Sequence, residues 1–367
     1  MKEAVIAAYV RSPFHFAGKG ALVKMRPDDL AAAVVKGLVA RTGIDTHDVE
    51  DLLLGCAFPE AEQGLNVARL IGLIAELPIT VGGATINRFC GSSMQGIHSA
   101  AGAIAIGAGD AFICAGIESM SRVPMMGFNP LPNPVLTERM PAAYISMGDT
   151  AENVARKYSI SRQQQEEFAV GSQRKAGAAR QAGKLSDEII PVQVGKETIS
   201  SDGCIREDTT AEILAGLKPA FDQNGTVTAG TSSPLTDGAA ACLVTSADYA
   251  KAHGLTVLAK IRSIGVAGCA PEIMGIGPVV ATQKALKRAG LTIKDIDIIE
   301  LNEAFASQAL ACMRDLDIDP AKVNLDGGAI AIGHPLGATG ARITGKAAAL
   351  LKREGKQFAL STQCIGG

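Results

Sequence analysis

The sequence predicts an α/β protein built by duplication: two related halves, each alternating strand and helix around buried helices, with a loop domain inserted between them. Three observations predict it. The first is an internal repeat. Thr42-Gly43-Ile44, running on to Asp48-Val49-Glu50-Asp51-Leu52-Leu53-Leu54, returns as Ala289-Gly290-Leu291, running on to Asp295-Ile296-Asp297-Ile298-Ile299-Glu300-Leu301, with Gly290 standing 247 positions after Gly43. The second is composition. Forty-one glycines, 4% aromatic residues and no tryptophan in 367 positions call for close backbone packing, as helices threaded between sheets would need. The third is a break in the pattern over 121–225, which opens with Pro124, Pro130, Pro132 and Pro134.

Each copy of the repeat follows an amphipathic helix, predicted near 28–42 and 278–289, and ends in a short apolar strand of the buried parallel type. Carried forward without a gap, the offset sets Phe89-Cys90-Gly91-Ser92 against Leu336-Gly337-Ala338-Thr339. It also sets strand Phe112–Gly116 against strand Ala359–Gln363. Inside the excursion, Asp149 to Lys157 and Arg162 to Gly183 read as polar helices. After it, Gly238–Val244 reads as a buried strand that completes the first half. The expected organisation is residues 1–120 with 226–250 as one half, 121–225 as the inserted loop domain, and 251–367 as the other half. The second half shows no counterpart of the strand at 238–244, so one sheet strand is expected to be missing beyond Cys364.

A formal net charge of −2 gives no global attraction for nucleic acid or anionic membranes, so a polyanionic ligand must be held locally. No apolar run reaches the roughly 18 residues of a membrane span. Met1-Lys2-Glu3-Ala4-Val5-Ile6 runs directly into strand-like sequence, with no signal or transit segment before it. Eight cysteines lie scattered without C-x-x-C pairs, which supports neither a zinc knuckle nor a disulfide framework. A reducing cytoplasm is the expected location, with no metal and no bound cofactor.

Three segments carry the chemistry. Gly328 to Gly340 holds His334 among glycines and small apolar residues, between a predicted strand and a predicted helix. Asn87-Arg88-Phe89-Cys90-Gly91-Ser92-Ser93 and Gln363-Cys364-Ile365-Gly366-Gly367 each set a cysteine beside small residues. Two thiols and one imidazole suggest acyl transfer through sulfur. Cys90 precedes a helix-like stretch at 93–101, where unpaired N–H groups and the helix dipole would favour its thiolate. Cys56, Cys114, Cys242 and Cys312 lie inside apolar runs and read as small buried hydrophobes. Read alone, His334 before Pro335 is either a turn cap or a base, and Cys364 either a core thiol or a second active thiol. Asn302 either caps the helix after its strand or orients a water toward an oxyanion. The repeat favours convergence, because it makes the Cys90 and His334 loops pseudo-symmetric. His15, His47, His98 and His253 read as surface or structural.

At these residues the chain resembles the thiolase family, over essentially all 367 positions. Cys90 in Asn-Arg-Phe-Cys-Gly-Ser-Ser, Asn302-Glu303-Ala304-Phe305, Gly333-His334-Pro335 and Cys364-Ile365-Gly366-Gly367 match the family's four active-site motifs in type and order. Thr228-Ala229-Gly230-Thr231-Ser232-Ser233-Pro234 looks like the degradative 3-ketoacyl-CoA thiolases, where acetoacetyl-CoA thiolases more often carry Asn-Ala-Ser-Gly. The resemblance implies two mixed-sheet halves layered α-β-α-β-α with the inserted loop domain. It implies thiolytic cleavage of 3-ketoacyl-CoA to acetyl-CoA and a shortened acyl-CoA in fatty-acid β-oxidation, reversible as a Claisen condensation. Coenzyme A is then a substrate.

By the same likeness Cys90 is the nucleophile, His334 its base and Cys364 the second acid-base group. His334 and a water on Asn302 form one oxyanion hole, and the N–H groups of Cys90 and Gly366 the other. Ser233, Met147 and Phe305 line the pantetheine tunnel, and Arg206 sits near the adenine. Implied partners are acyl-CoA and CoA, a second copy in a homodimer or homotetramer, and a β-oxidation dehydrogenase or hydratase. The family normally continues past Cys-Ile-Gly-Gly with another strand of the second sheet. Ser146 stands where many biosynthetic members carry histidine, so chain length stays open. Acetoacetyl-CoA thiolase is the alternative activity, and a thiolase-like acyl-CoA or lipid carrier the alternative class. A 3-ketoacyl synthase would resemble a Cys-His-His pattern, but Asn302 stands in place of its second histidine. A metal hydrolase lacks any cluster of ligand spacing.

Overall fold

The computed structural model describes residues 1–366, and its first strand, β1 (Ala4–Arg11), is buried along its whole length. A short strand β2 (His15–Phe16) leads to helix α1 (Pro27–Thr42), which opens on a proline with Asp28 and Asp29 in its first turn and stops at Gly43 in the left-handed region. Strand β3 (Asp51–Gly55), helix α2 (Val67–Ile74), strand β4 (Gly82–Ile86), helix α3 (Ser92–Ile106) and strand β5 (Ala111–Ser119) follow. The excursion then supplies α4 (Pro134–Arg139), α5 (Met147–Lys157) and α6 (Arg162–Gln181). After them come a small hairpin, β6 (Val192–Val194) with β7 (Glu197–Ile199), and α7 (Ala211–Ala215). α6 starts on a reciprocal cap, in which Ser161 and Gln164 each accept the other's backbone N–H. The chain re-enters the first half with the fully buried β8 (Thr236–Ser246), followed by α8 (Ala247–Ala252) and β9 (Ala259–Lys260). The second half contains α9 (Gly277–Ala289), β10 (Ile298–Leu301), α10 (Ala306–Asp315), α11 (Ala329–Ile332), α12 (Leu336–Glu354) and β11 (Ala359–Thr362).

The first sheet is mixed and ordered β4-β3-β5-β8-β1-β9, with β2 also on β8. β3 runs parallel to β4 and β5, whereas β8 runs antiparallel to β5 and β1. The duplication is visible in strand register. Asp51 pairs with Phe112 in the first half, and Ile298 pairs with Ala359 in the second, so both members of the pair are displaced by the same 247 positions. Among the described residues the second sheet consists of β10 and β11, and β9 pairs with β1 of the first sheet.

Five layers result. α1 and α2 pack on one face of the first sheet, and α3 and α12 pack on the other through Ile97, Ala100, Ile104, Ala338, Ala341 and Ala348. β10 and β11 lie beyond α12, and α9 and α10 cover their far side through Val279, Leu286, Ala309 and Met313. This is the α-β-α-β-α arrangement expected above. The glycine content is used at the centre of this stack. A Cβ on Gly337 would lie 2.4 Å from the Ile117 carbonyl oxygen, and one on Gly340 would lie 2.2 Å from the Met94 nitrogen. α12 therefore meets the sheet and α3 at backbone distance.

One element differs from expectation. The residues before His334 form a helical turn, α11, instead of a strand. They are buried on all sides, so no sheet edge is there to pair them, and the Glu303 carboxylate accepts the Ile330 N–H. Gly333, at φ 113°, ends the turn.

Candidate active site

Cys90 sits in a single helical turn, Phe89–Gly91, that leads into the N-terminus of α3. Ser92 holds this turn, its hydroxyl donating to the Phe89 carbonyl and accepting the Arg88 N–H. Gly91 has no side chain because the Ile365 side chain occupies that space. The 364–366 segment thereby approaches closely enough for the Gly366 N–H to pull the Cys90 thiol downward.

His334 lies on the turn between α11 and α12 and is 4% exposed. Its backbone N–H donates to the Thr236 hydroxyl at 3.0 Å. Its ring contacts Asn302 through Nε2 at 3.4 Å and Thr339 through Nδ1 at 2.6 Å. Asn302 is wholly buried just past β10, and its Oδ1 has no partner among the described residues. It does not cap α10, whose N-cap position is Phe305, so the capping reading does not hold.

Cys90 shares an apolar cluster with Leu336, two residues from His334, while Cys364 clusters with Ala304, Phe305 and Met147, beside Asn302. The two sulfurs are close enough that Cys90 adds to the upward shift of the Cys364 thiol, which burial dominates. Among the described residues no hydrogen bond joins the Cys90 sulfur to the imidazole. Such contacts tighten on substrate binding in many enzymes.

Electrostatics correct one expectation. Burial pushes the Cys90 thiol up to about 11, outweighing the Gly366 and Cys90 backbone N–H groups that favour thiolate. Burial, with Arg342 nearby, pushes His334 down to about 3. The resting pair is a neutral thiol and a neutral imidazole, because desolvation exceeds the pull of the helix N-terminus.

Two buried carboxylates fasten the histidine loop. Glu118 of β5 accepts the N–H groups of Ala57 (2.8 Å), Phe58 (3.2 Å) and Gly337 (2.9 Å), and the Gln63 amide (2.9 Å). Glu303 accepts from Ser172 (2.6 Å), Asn324 (2.7 Å) and Ile330 N–H (3.1 Å). Burial raises the pKa of both carboxyl groups.

With this geometry in view, comparison with known proteins is decisive. The model of the thiolase N-terminal domain matches residues 4–248, and that of the thiolase C-terminal domain matches residues 255–367. The chain belongs to the thiolase family. It is 51% identical over its whole length to a Bacillus subtilis (strain 168) protein named 3-ketoacyl-CoA thiolase, of which it covers 97%. It is 48% identical to one of that name from Aeromonas hydrophila, again covering 97% of it. Among solved structures, Bacillus anthracis acetyl-CoA acetyltransferase superposes with TM-score 0.91 at 40% identity, over all of this chain and 96% of that one. Human mitochondrial 3-ketoacyl-CoA thiolase in complex with CoA superposes with TM-score 0.91 at 38% identity, over all of this chain and 95% of that one.

In this thiolase the residues expected to bind substrate divide into two groups. Met147 packs on the Cys364 cluster with its sulfur against Gly366, and Phe305 stacks edge-on with Phe221 at 5.9 Å. The Ser233 N–H donates to the Ala304 carbonyl, which brings Ser233 to the same cluster. Arg206 stands apart from the thiols, its guanidinium 5.7 Å from the Phe16 ring centre, with Lys19 over the same ring at 4.6 Å. Ser146 caps α5, its side chain accepting the Asp149 N–H. Thr236, Thr339, Glu118 and Glu303 were not singled out from sequence. Thr339 carried a local signal, standing one helical turn into α12 on the same loop as His334, and Glu303 lay within the Asn302–Phe305 motif.

Proposed function

We propose that this thiolase cleaves 3-ketoacyl-CoA with CoA through an acyl group carried on Cys90. The reading is supported by the Cys90 and Cys364 thiols lying within electrostatic reach of each other, by Leu336, two residues from His334, in the Cys90 cluster, and by the contact of His334 with Asn302. His334 Nε2 takes the Cys90 proton as the sulfur attacks the 3-keto carbon. The bond between C2 and C3 breaks, and the electron pair leaves on acetyl-CoA, whose carbanion takes the Cys364 proton. The Cys364 thiolate then removes the thiol proton of incoming CoA, which attacks the acyl-enzyme. Cys90 departs as thiolate and recovers its proton from His334. Two acid-base groups serve two half-reactions. The Cys90 and Gly366 N–H groups form one oxyanion hole, and His334 with a water on Asn302 forms the other; the free Oδ1 of Asn302 suits that water.

Coenzyme A serves as substrate, with Met147, Ser233 and Phe305 along the pantetheine and Arg206 with Lys19 offering the local positive charge for its phosphates. A homodimer is supported by β4, whose outer edge has no strand partner among the described residues and is flanked by exposed Leu70, Leu73, Ile74 and Ile79. Eight free cysteines suit a reducing cytoplasm. Among the described residues, no helix is long and apolar enough to cross a membrane.

The test follows the loss of 3-ketoacyl-CoA absorbance on adding CoA, with Cys90→Ala as control. Turnover that depends on Cys90 supports the reading, and undiminished turnover in Cys90→Ala rejects it. The likeness to an acetyl-CoA acetyltransferase favours acetoacetyl-CoA as the second candidate substrate. A higher kcat/KM for acetoacetyl-CoA than for longer 3-ketoacyl-CoA would select that activity.

A further inference from the structure

His334 needs a proton on Nδ1 and a lone pair on Nε2 if Nε2 is to accept a proton from Cys90, and the structure shows which group imposes that arrangement. Thr339 is wholly buried in the first turn of α12. Its hydroxyl lies 2.8 Å from the Pro335 carbonyl oxygen, four residues back, where only the hydroxyl can donate. A hydroxyl has one hydrogen. Its second contact, at 2.6 Å from His334 Nδ1, must therefore be one in which Thr339 Oγ1 accepts and the ring N–H donates. On the other side of the ring, the Asn302 amide nitrogen is a donor and faces Nε2, which must accept. Both contacts demand the same tautomer.

Among the described residues no carboxylate contacts the ring for this task. Glu118 and Glu303 spend their oxygens on the backbone at Gly337 and Ile330 and on neighbouring side chains, leaving the ring to neutral partners. Arg342 is the charged side chain whose field reaches the imidazole. We propose that Thr339 is the positioning residue that fixes His334 as the neutral Nδ1–H tautomer, which keeps on Nε2 the lone pair needed to take the Cys90 proton. The role in turnover rests on the thiolase reading above. A hydroxyl in place of a carboxylate orients the ring without stabilising a cation on it, so proton transfer accompanies sulfur attack instead of preceding it.

The test compares Thr339→Val, which keeps the shape and removes the acceptor, with Thr339→Ser, which keeps the acceptor. In thiolysis, Thr339→Val should lower kcat on the order of 10²-fold with KM little changed, the loss typical of a misplaced general base, and Thr339→Ser should restore most of it. A second readout needs no substrate. Protein carrying ¹⁵N-histidine, with the His334 signals assigned through His334→Gln, should show the proton on Nδ1 in wild type and in Thr339→Ser, and movement of that proton toward Nε2 in Thr339→Val. Unchanged ring signals in Thr339→Val, or a Thr339→Ser variant that behaves like Thr339→Val, would overturn the proposal. A wild-type protein that does not cleave 3-ketoacyl-CoA would overturn the proposed function alone, because the ring signals report on Thr339 without turnover.

Discussion

Cys90 and His334 rest as an uncharged pair, and that has a measurable consequence. With the thiol near 11 and the imidazole near 3, the fraction of thiolate at Cys90 is small throughout the neutral range. Alkylation of Cys90 by iodoacetamide should therefore rise steadily with pH into the alkaline range. A plateau extending below pH 6, measured by peptide mass spectrometry, would show a preformed thiolate–imidazolium pair instead. The residues of this pair were legible in sequence because each stands in a run of small side chains that leaves room around it. Asn302 was legible only as a choice between cap and catalyst, and Phe305 at the N-cap of α10 removes the first. Glu303 was legible only as a member of the Asn302–Phe305 motif, and Glu118 was not legible. Glu118 reaches Gly337 across 219 positions, and nothing local marks a carboxylate that will be buried among backbone N–H groups.

At the scale of elements, the account depends on α12 lying against α3 and the first sheet at backbone distance. Gly340→Ala places a methyl against Met94 backbone that cannot swing aside, and should cost about 1–3 kcal/mol as overpacking. Gly102→Ala on the open side of α3 meets nothing within 4 Å and should instead stabilise by about 0.5–1 kcal/mol, since it removes a helix-interior glycine. Urea midpoints for the two variants check both signs. The repeat at 43 and 290 foretold this pairing of halves, down to strand register. It did not foretell α11, because four small apolar residues fit a buried strand and a buried helical turn equally well until the position of Glu303 is known.

At the scale of the whole molecule, a chain of charges, buried except at Arg353, ties the first half, the inserted domain and the second half together. Arg11 pairs with Asp202 (2.6 Å) and Glu188 (2.7 Å), Lys346 with Glu188 (2.9 Å) and Asp326 (2.6 Å), and Arg353 with Asp326 (2.6 Å). Removing one member strands the others, so Arg11→Met should cost about 3–5 kcal/mol and shift a single unfolding transition. Sequence gave no sign of this network, whose members are separated by up to hundreds of positions. Burial of His98 and His334 weakens the fold in acid. His98 is lowered to about 4 and His334 to about 3, both chiefly by burial, so below the ordinary histidine value of 6.5 protons bind the unfolded chain first. Glu188 and Asp326, held down by their cations against the cost of burial, act in the same direction at lower pH. Glu300, raised to about 7 by burial, acts oppositely: its contribution is complete below 4.5 and lost as pH rises through 7. Glu118, Glu303, Asp51 and Asp237, also raised by burial, act with Glu300, so the histidine contribution is isolated by His98→Gln, whose thermal midpoint should fall less than that of wild type on going from pH 6.5 to pH 4.

The most direct measurement is the mass of the peptide that contains Cys90 after brief incubation with 3-ketoacyl-CoA in the absence of CoA. The account predicts an increase equal to the shortened acyl group on Cys90, lost again when CoA is added and absent in Cys90→Ala. An acyl group found on Cys364 instead, or turnover with no acyl group on Cys90, would contradict it.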